Sequence, residues 1–383
     1  MDFALTETEE LVQRTARDYA GRVLAPAAAE IDEKERFPLA ELSGLASLGL
    51  MGVNVPASLG GSEAGPVAFA LAMMEIARGC ASTAVTVAVT NMVAEIVTRF
   101  GNDEQRSKLV PRLTSGEFAS GSFALSEPGA GSDPGGLETT AVATADGYEI
   151  NGAKAWVTSG AHSGVTVVWA RTAPREERPG ARGLSCFLVE KDTTGMKVGR
   201  PEQKLGLRGS NTVPIAFDAC RVPRSALLGE LHHGFEIAMK ALDGGRISVA
   251  AQAIGIAEGA LREACDYAKE RRQFGQAIAE FQGIQWMLAD SRTELDAARL
   301  LCLRAARLKQ DGAPFTREAS MAKVFASEAA GRVCDRALQI HGGYGFVRDF
   351  AAERHLRDVR VTRIYEGTSE IQRTVIARSL LRD

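Results

Sequence analysis

The chain contains no Cys-x-x-Cys pair, no block of like charges and no long run of apolar residues. Each absence removes a class of protein. The six cysteines, Cys80, Cys186, Cys220, Cys265, Cys302 and Cys334, are scattered over 383 residues. Disulfide frameworks show close, repeated spacings, whereas scattered thiols in a long chain read as small core residues in a reducing compartment. Lysine plus arginine number 45 against 48 acidic residues, for a net charge of −3. With no Lys/Arg-rich patch or tail, nucleic acid is not an expected partner. The longest uncharged run, Gly79 to Ala94, is rich in Ser, Thr and Ala. It is expected to fall short of the ~18 apolar residues a membrane span requires, so no membrane insertion is expected. The acidic start, Met1 to Glu7, lacks the basic and apolar segments of a secretory signal and the arginines of a transit peptide. The expected location is the cytoplasm, or the mitochondrial matrix for a trimmed organellar form.

What is present is ordinary globular composition, 45% hydrophobic and 24% charged, at a length that suggests about two to three domains. Three textures follow one another. Residues 1–117 read as helices: Thr6 and Glu9 form a capping box, and helical runs follow at Leu39–Leu48, Val67–Arg78, Thr83–Phe100 and Glu104–Leu113. Residues 118–230 read as a β domain of short strands, with hairpin turns predicted at Asp146-Gly147 and Asn151-Gly152. Residues 231–383 return to long amphipathic helices, Ile247–Arg271, Ile284–Leu308 and Thr316–Ile340, with a last helix after Gly367. Long helices joined by short turns make an antiparallel four-helix bundle. The predicted fold class is mixed α and β: a helical N-terminal domain, a middle antiparallel, barrel-like β-sheet and a C-terminal bundle.

Four stretches carry chemistry. In Phe123-Ala-Leu-Ser-Glu-Pro-Gly-Ala-Gly-Ser132, glycines admit a ligand close to the backbone, and Ser126 and Ser132 offer hydroxyls. By itself such a stretch is more often a plain loop; it is neither a Walker A loop nor a dinucleotide fingerprint. In Gly152-Ala-Lys-Ala-Trp-Val-Thr158, Trp156 and Thr158 share a strand face, an indole beside a hydroxyl that suits a flat heterocycle or, equally, sheet-to-bundle packing. Gln339-Ile-His-Gly-Gly343 ends a long helix, and its glycines sit where a C-cap belongs. His341 has no His or Cys partner at metal spacing, so no metal is expected. In Tyr365-Glu-Gly-Thr-Ser-Glu-Ile-Gln372, Ser369 with Gln372 reads as a capping box. Glu366 then precedes a helix N-terminus, where an acid serves the helix dipole or acts as a base for a carbon acid.

Together these stretches resemble the acyl-CoA dehydrogenase family over nearly the whole chain. Ala124 to Gly136 fits one family signature. Gln339 to Asp358, with Gly342, Gly343, Gly345, Asp349, Arg354 and Asp358 in register, fits a second. The resemblance implies FAD as cofactor, held by Phe123, Leu125, Ser126, Gly131, Ser132, Trp156, Val157 and Thr158. A neighbouring subunit would add Arg271, Phe274 and Gln282, with Gln339, Ile340, His341, Gly342 and Gly343, while Thr368, Ser369 and Glu370 would cap the other side. Ser132, Asp243, Gly244, Gly245, Arg246 and Gly367 would touch the CoA thioester. Glu366 matches the usual catalytic base. Some relatives place that base just before the arginine matched by Arg246, but here Gly245 stands there. The resemblance further implies a homotetramer, transfer of electrons to an electron-transfer flavoprotein, and a role in fatty acid β-oxidation or branched-chain amino acid catabolism. Leu242 to Ile247 and Tyr365 to Gln372 resemble short-chain members most, and His341 to Gly345 isobutyryl-type ones. An oxidase or O2-using monooxygenase of the same fold is the alternative. Val213-Pro214 departs from the pattern, and acyl chain length stays open.

Overall fold

The computed structural model describes residues 4–382; the Met1 to Phe3 part of the N-terminal reading lies outside them, as does Asp383. The N-terminal helices are α1 (Glu7–Tyr19), α2 (Ala25–Glu33), α3 (Leu39–Ser47), α4 (Gly65–Gly79), α5 (Ala81–Phe100) and α6 (Asp103–Thr114). The capping box at Thr6 and Glu9 is formed: the Glu9 backbone N–H donates to Thr6 Oγ1 at 3.3 Å, and the Thr6 N–H to Glu9 Oε2 at 2.9 Å. A second box, Asn102 with Gln105, starts α6.

One sequence expectation changes at α5. Counted to its end, past Glu95 and Arg99, this helix is long and apolar enough to cross a membrane by length and composition alone. Of its most apolar window 83% is buried inside the protein, so here it is a core helix. The uncharged run to Ala94 understated it because one ion pair and a helix end absorb the two charges.

The middle region carries β1 (Ser120–Ala124), β2 (Thr140–Ala143), β3 (Gly147–Thr158), β4 (Ser163–Arg171), β5 (Leu184–Glu190), β6 (Met196–Val198), β7 (Thr212–Pro223) and β8 (Leu227–Leu228). The strand order is β6-β7-β3-β2-β4-β5-β8, mostly antiparallel, with β1 and β2 running parallel to β4. Every residue of β4 is buried. Its period of two explains how: Val165, Val167 and Trp169 face the core shared with α5 and α6, while Val168 and Ala170 face a second core on the other side. The Asp146-Gly147 hairpin is present, closed by a 2.9 Å bond from Thr144 N–H to the Gly147 carbonyl. The hairpin expected at Asn151-Gly152 is not. There β3 continues through a bulge, with the register against β7 shifting between Ile150 and Gly152 and Gly152 at φ 145. A bulge asks for the same permissive residues as a turn.

The C-terminal region holds α7 (Gly234–Glu270), the short hairpin β9 (Arg272–Gln273) and β10 (Gln276–Ala277), α8 (Gln282–Gln310), α9 (Thr316–His341), α10 (Ala352–Val359) and α11 (Ser369–Leu380). Expected from Ile247, α7 instead begins at Gly234 and runs through Gly244-Gly245. At 37 residues it spans about 55 Å and packs on α4 and α5 as well as on α9. It therefore fixes the N-terminal helices relative to the bundle. The cap of α11 also differs: Thr368, not Ser369, is the N-cap. Ser369 donates to Glu328 Oε1 at 2.8 Å instead, and Gln372 turns back toward the loop. Two adjacent hydroxyls are equally plausible caps by spacing alone.

Candidate active site

Glu366 lies in the turn between α10 and α11, with φ 55, followed by Gly367 at φ 87. A left-handed glutamate costs roughly 1–2 kcal/mol, so the surroundings must hold it. They do so through the carbonyls. Gln372 Nε2 donates to the Glu366 carbonyl at 3.1 Å and to the Gly367 carbonyl at 2.9 Å. Lys323 Nζ, from α9, donates to the Gly367 carbonyl at 2.8 Å. Tyr365 hydrogen-bonds Gln252 of α7, whose Nε2 in turn donates to the Ala81 carbonyl at 3.1 Å.

The turn aims the carboxylate at α7. A Cβ on Gly245 would stand 2.6 Å from Glu366 Oε2 and 3.4 Å from Met92 Sδ of α5. Glycine at 245 is thus what admits the carboxylate, and an acid at 245 would compete for the same place. Glu366 Oε2 is buried without a hydrogen-bond partner among the described residues. Burial pushes the Glu366 carboxyl up to about 7, against the pull of Arg246 and then Lys323. Arg246 is itself buried; it donates to Asp243 Oδ1 at 2.7 Å, and Thr316 donates to Asp243 Oδ2 at 2.5 Å. Asp243, Gly245, Arg246, Glu366 and Gly367 are therefore gathered in one place. Gly244 faces Lys309, which pairs with Glu95 at 2.7 Å.

The middle-domain residues form a second group. Phe123 packs on Trp169 at 4.3 Å between ring centroids, and Ser122 Oγ donates to the Thr158 carbonyl at 2.8 Å. Trp156 takes φ 60 and leaves its side chain 64% exposed, because β3 shifts register between Lys154 and Val157. The Ala155 N–H then turns to the Ser126 carbonyl at 2.9 Å. Around Gly129 and Gly131 an added Cβ would meet open space. An exposed indole beside an open, glycine-lined loop fits a flat, extended cofactor such as FAD. Leu125 and Val157 are buried, and Val157 pairs with Val213 of β7.

Two residues that sequence reasoning left without a role support this loop. Lys154 is fully buried, pairs with Glu127 at 2.7 Å and donates to the Leu125 carbonyl at 3.3 Å. Glu127 also accepts from the Glu138 and Thr139 N–H groups at 2.6 and 3.0 Å. A lysine on the same strand face as Ile150 was the available signal. Lys323, among the inward alanines Ala319, Ala322 and Ala326 of α9, gave a similar one.

The remaining predicted residues stand elsewhere on the chain. Phe274, at the tip of the β9–β10 hairpin, is 93% exposed. Arg271 lies over the Tyr344 ring at 5.5 Å, and Gln282, Gln339, Gly342 and Gly343 are exposed. Ile340 and His341 are buried; His341 Nδ1 lies 2.7 Å from the Ala337 carbonyl and the ring stacks on Tyr267 at 4.5 Å. Among the described residues no hydrogen bond, ion pair or ring contact joins this group to the middle-domain loop, nor Ser132 to Asp243 or Arg246. Thr368 to Glu370 border a hollow of about 240 Å³ with Glu328, Arg360 and Arg363. A larger open cavity, about 760 Å³, lies between α1, α4, α7 and α8 and is lined by Arg17, Arg22, Arg78, Arg262 and Arg299 among others. It shares no residue with the site.

A helix–sheet–bundle chain with an exposed indole platform and a buried carboxylate beside a glycine of the bundle has the layout that suits a flavoenzyme. The chain matches three family descriptions: Acyl-CoA dehydrogenase, N-terminal domain over residues 6–117, middle domain over 122–220 and C-terminal domain over 232–381. It is 47% identical over 379 residues to the human mitochondrial short-chain specific acyl-CoA dehydrogenase, covering 99% of this chain and 91% of that one. Its fold matches butyryl-CoA dehydrogenase from Megasphaera elsdenii with a TM-score of 0.97 at 40% identity, covering all of both chains. It matches equally, with a TM-score of 0.97 at 41% identity and full coverage of both, a chain solved in work on the electron transferring flavoprotein of Acidaminococcus fermentans. The protein belongs to the acyl-CoA dehydrogenase family, FAD-dependent oxidoreductases that act on acyl-CoA.

Proposed function

We propose that this protein oxidises a short-chain acyl-CoA to the 2-enoyl-CoA, with Glu366 as the base that removes the α-proton. The observation that carries the proposal is the buried Glu366 carboxylate, held against Gly245 with Oε2 unsatisfied. A carboxylate without a donor in a dry site is a stronger base than one in water, and a base poised near the working pH serves proton abstraction best. FAD, when bound, supplies the acceptor for the β-hydrogen as hydride. The Glu366 backbone N–H donates to nothing among the described residues, which suits a donor to the thioester oxygen as charge develops there. Gly245 leaves room for the carboxylate, Asp243 and Arg246 border the substrate, and the walls of α5 and α7 exclude water.

The short acyl group is inferred from the relatives' specificities. Straight against branched chains is decided by experiment. Phe274, Phe346 and Tyr344 expose large apolar surface in the C-terminal region, which supports a homo-oligomer, of the tetramer kind, in which one subunit completes another's cofactor site. An electron-transfer flavoprotein is the inferred acceptor, in line with the Acidaminococcus work. The test is anaerobic mixing of the flavin-loaded enzyme with a panel of straight and branched acyl-CoAs. Bleaching by butyryl-CoA, faster than by long chains, is expected; no bleaching by any acyl-CoA overturns the reading. Because the carboxyl sits near 7, kcat/KM is expected to fall about tenfold per pH unit below that value and to level above it.

A further inference from the structure

Lys323 is buried to 0% exposure in the middle of α9, and no carboxylate lies within ion-pairing distance of its Nζ among the described residues. A lysine taken fully out of water normally brings a paired acid with it. This one donates instead to a backbone carbonyl, that of Gly367, at 2.8 Å. Gly367 follows Glu366, both are left-handed, and both carbonyls are also held by Gln372. The ammonium therefore grips the turn that aims the base, and the acid that acts on it most strongly is the base itself.

We propose that Lys323 is the positioning residue of this active site: its bond to Gly367 fixes the Glu366 turn, and its charge holds the Glu366 carboxylate in the ionised form. The inference rests on Glu366 being the base. The charges around the pair come from every packed element. Arg246, on α7, favours the ionised carboxylate more strongly than Lys323 does, and it repels Lys323. Asp243 on α7 is engaged with Arg246 and Thr316. Glu328 on α9 and Glu370 on α11 act more weakly on Lys323, behind Glu366. Tyr365 is turned away to Gln252. Burial lowers the Lys323 pKa to about 8, still above the value near 7 for Glu366.

The sign follows directly. Removing the cation makes the carboxylate harder to form, so the acidic limb of the kcat/KM profile moves to higher pH, by about one unit. The experiment compares flavin-loaded Lys323→Gln, Gln372→Leu and the parent over pH 5.5–9, with Glu366→Gln as reference. Lys323→Gln is expected to move the limb up. Gln372→Leu, which loosens the same turn but keeps the charge, is expected to lower kcat with the limb in place. An unmoved limb in Lys323→Gln overturns the proposal. A limb that moves equally in Gln372→Leu also overturns it, since the shift then reports the turn and not the ammonium. If Lys323→Gln fails to fold with flavin, Lys323→Arg decides: a limb at the parental pH supports the charge, and a raised one contradicts it. Activity in Glu366→Gln would defeat the base assignment instead, which keeps the two failures apart.

Discussion

Two lysines are fully buried among the described residues, Lys154 in the sheet and Lys323 in the bundle, and burial lowers both to about 8. They differ in what answers the charge. Lys154 faces Glu127 at 2.7 Å, and Glu127 is further satisfied by two backbone N–H groups, a closed arrangement with nothing left to offer a ligand. Lys323 faces a carbonyl, and the acid it favours, Glu366, keeps an unsatisfied oxygen. The first is a fastening that shapes the loop before Gly131. The second leaves chemical potential in the site. Equal burial therefore says little about role, and the state of the partner's second oxygen says more.

The largest expected effect falls on the closed pair. Lys154→Met leaves Glu127 charged and buried, and removing one partner of such a pair costs about 3–5 kcal/mol. Denaturant melts should show that loss, together with flavin lost on gel filtration. Lys323→Met should cost visibly less, because Gln372 still serves the Gly367 carbonyl; an equal cost would erase the distinction between the two lysines.

Next in size is a pH effect on stability. The folded Glu366 carboxyl is raised from 4.5 to about 7, so the native state holds this proton more tightly than the unfolded chain does. The associated stability is complete below pH 4.5 and is lost as pH rises through 7, by about 3 kcal/mol. Melts of the apoprotein between pH 5 and 8 should show this slope, and Glu366→Gln should flatten it. The smallest effect belongs to Gly245→Ala. Helix propensity gains up to about 1 kcal/mol, yet the new Cβ at 2.6 Å displaces the carboxylate. Turnover should fall roughly 10- to 100-fold with the melting temperature unchanged or higher. Parental turnover would show that the carboxylate is not held against Gly245.

The order of helices, sheet and bundle was legible because periodicity survives in long elements, as in α8 and α9. Glu366 was legible through its motif, and Gly245 through its place before Arg246. What was hidden depended on contacts far apart in sequence. Nothing near Lys323 announces residue 367, and nothing near Glu127 announces Lys154. The Asn151-Gly152 bulge was misread as a turn because both need the same residues. Ser369 was misread as a cap because its partner, Glu328, lies 41 residues away. The residues expected from a neighbouring subunit, Phe274 and Gln339 among them, are exposed on this chain and remain an inference from resemblance.

The central claim is that one carboxylate performs the proton abstraction. It is tested most directly by loading Glu366→Gln with FAD and following flavin reduction by butyryl-CoA anaerobically in a stopped-flow instrument. The account predicts normal flavin binding and reduction slowed by at least ~10²-fold relative to the parent. Reduction at the parental rate would contradict it.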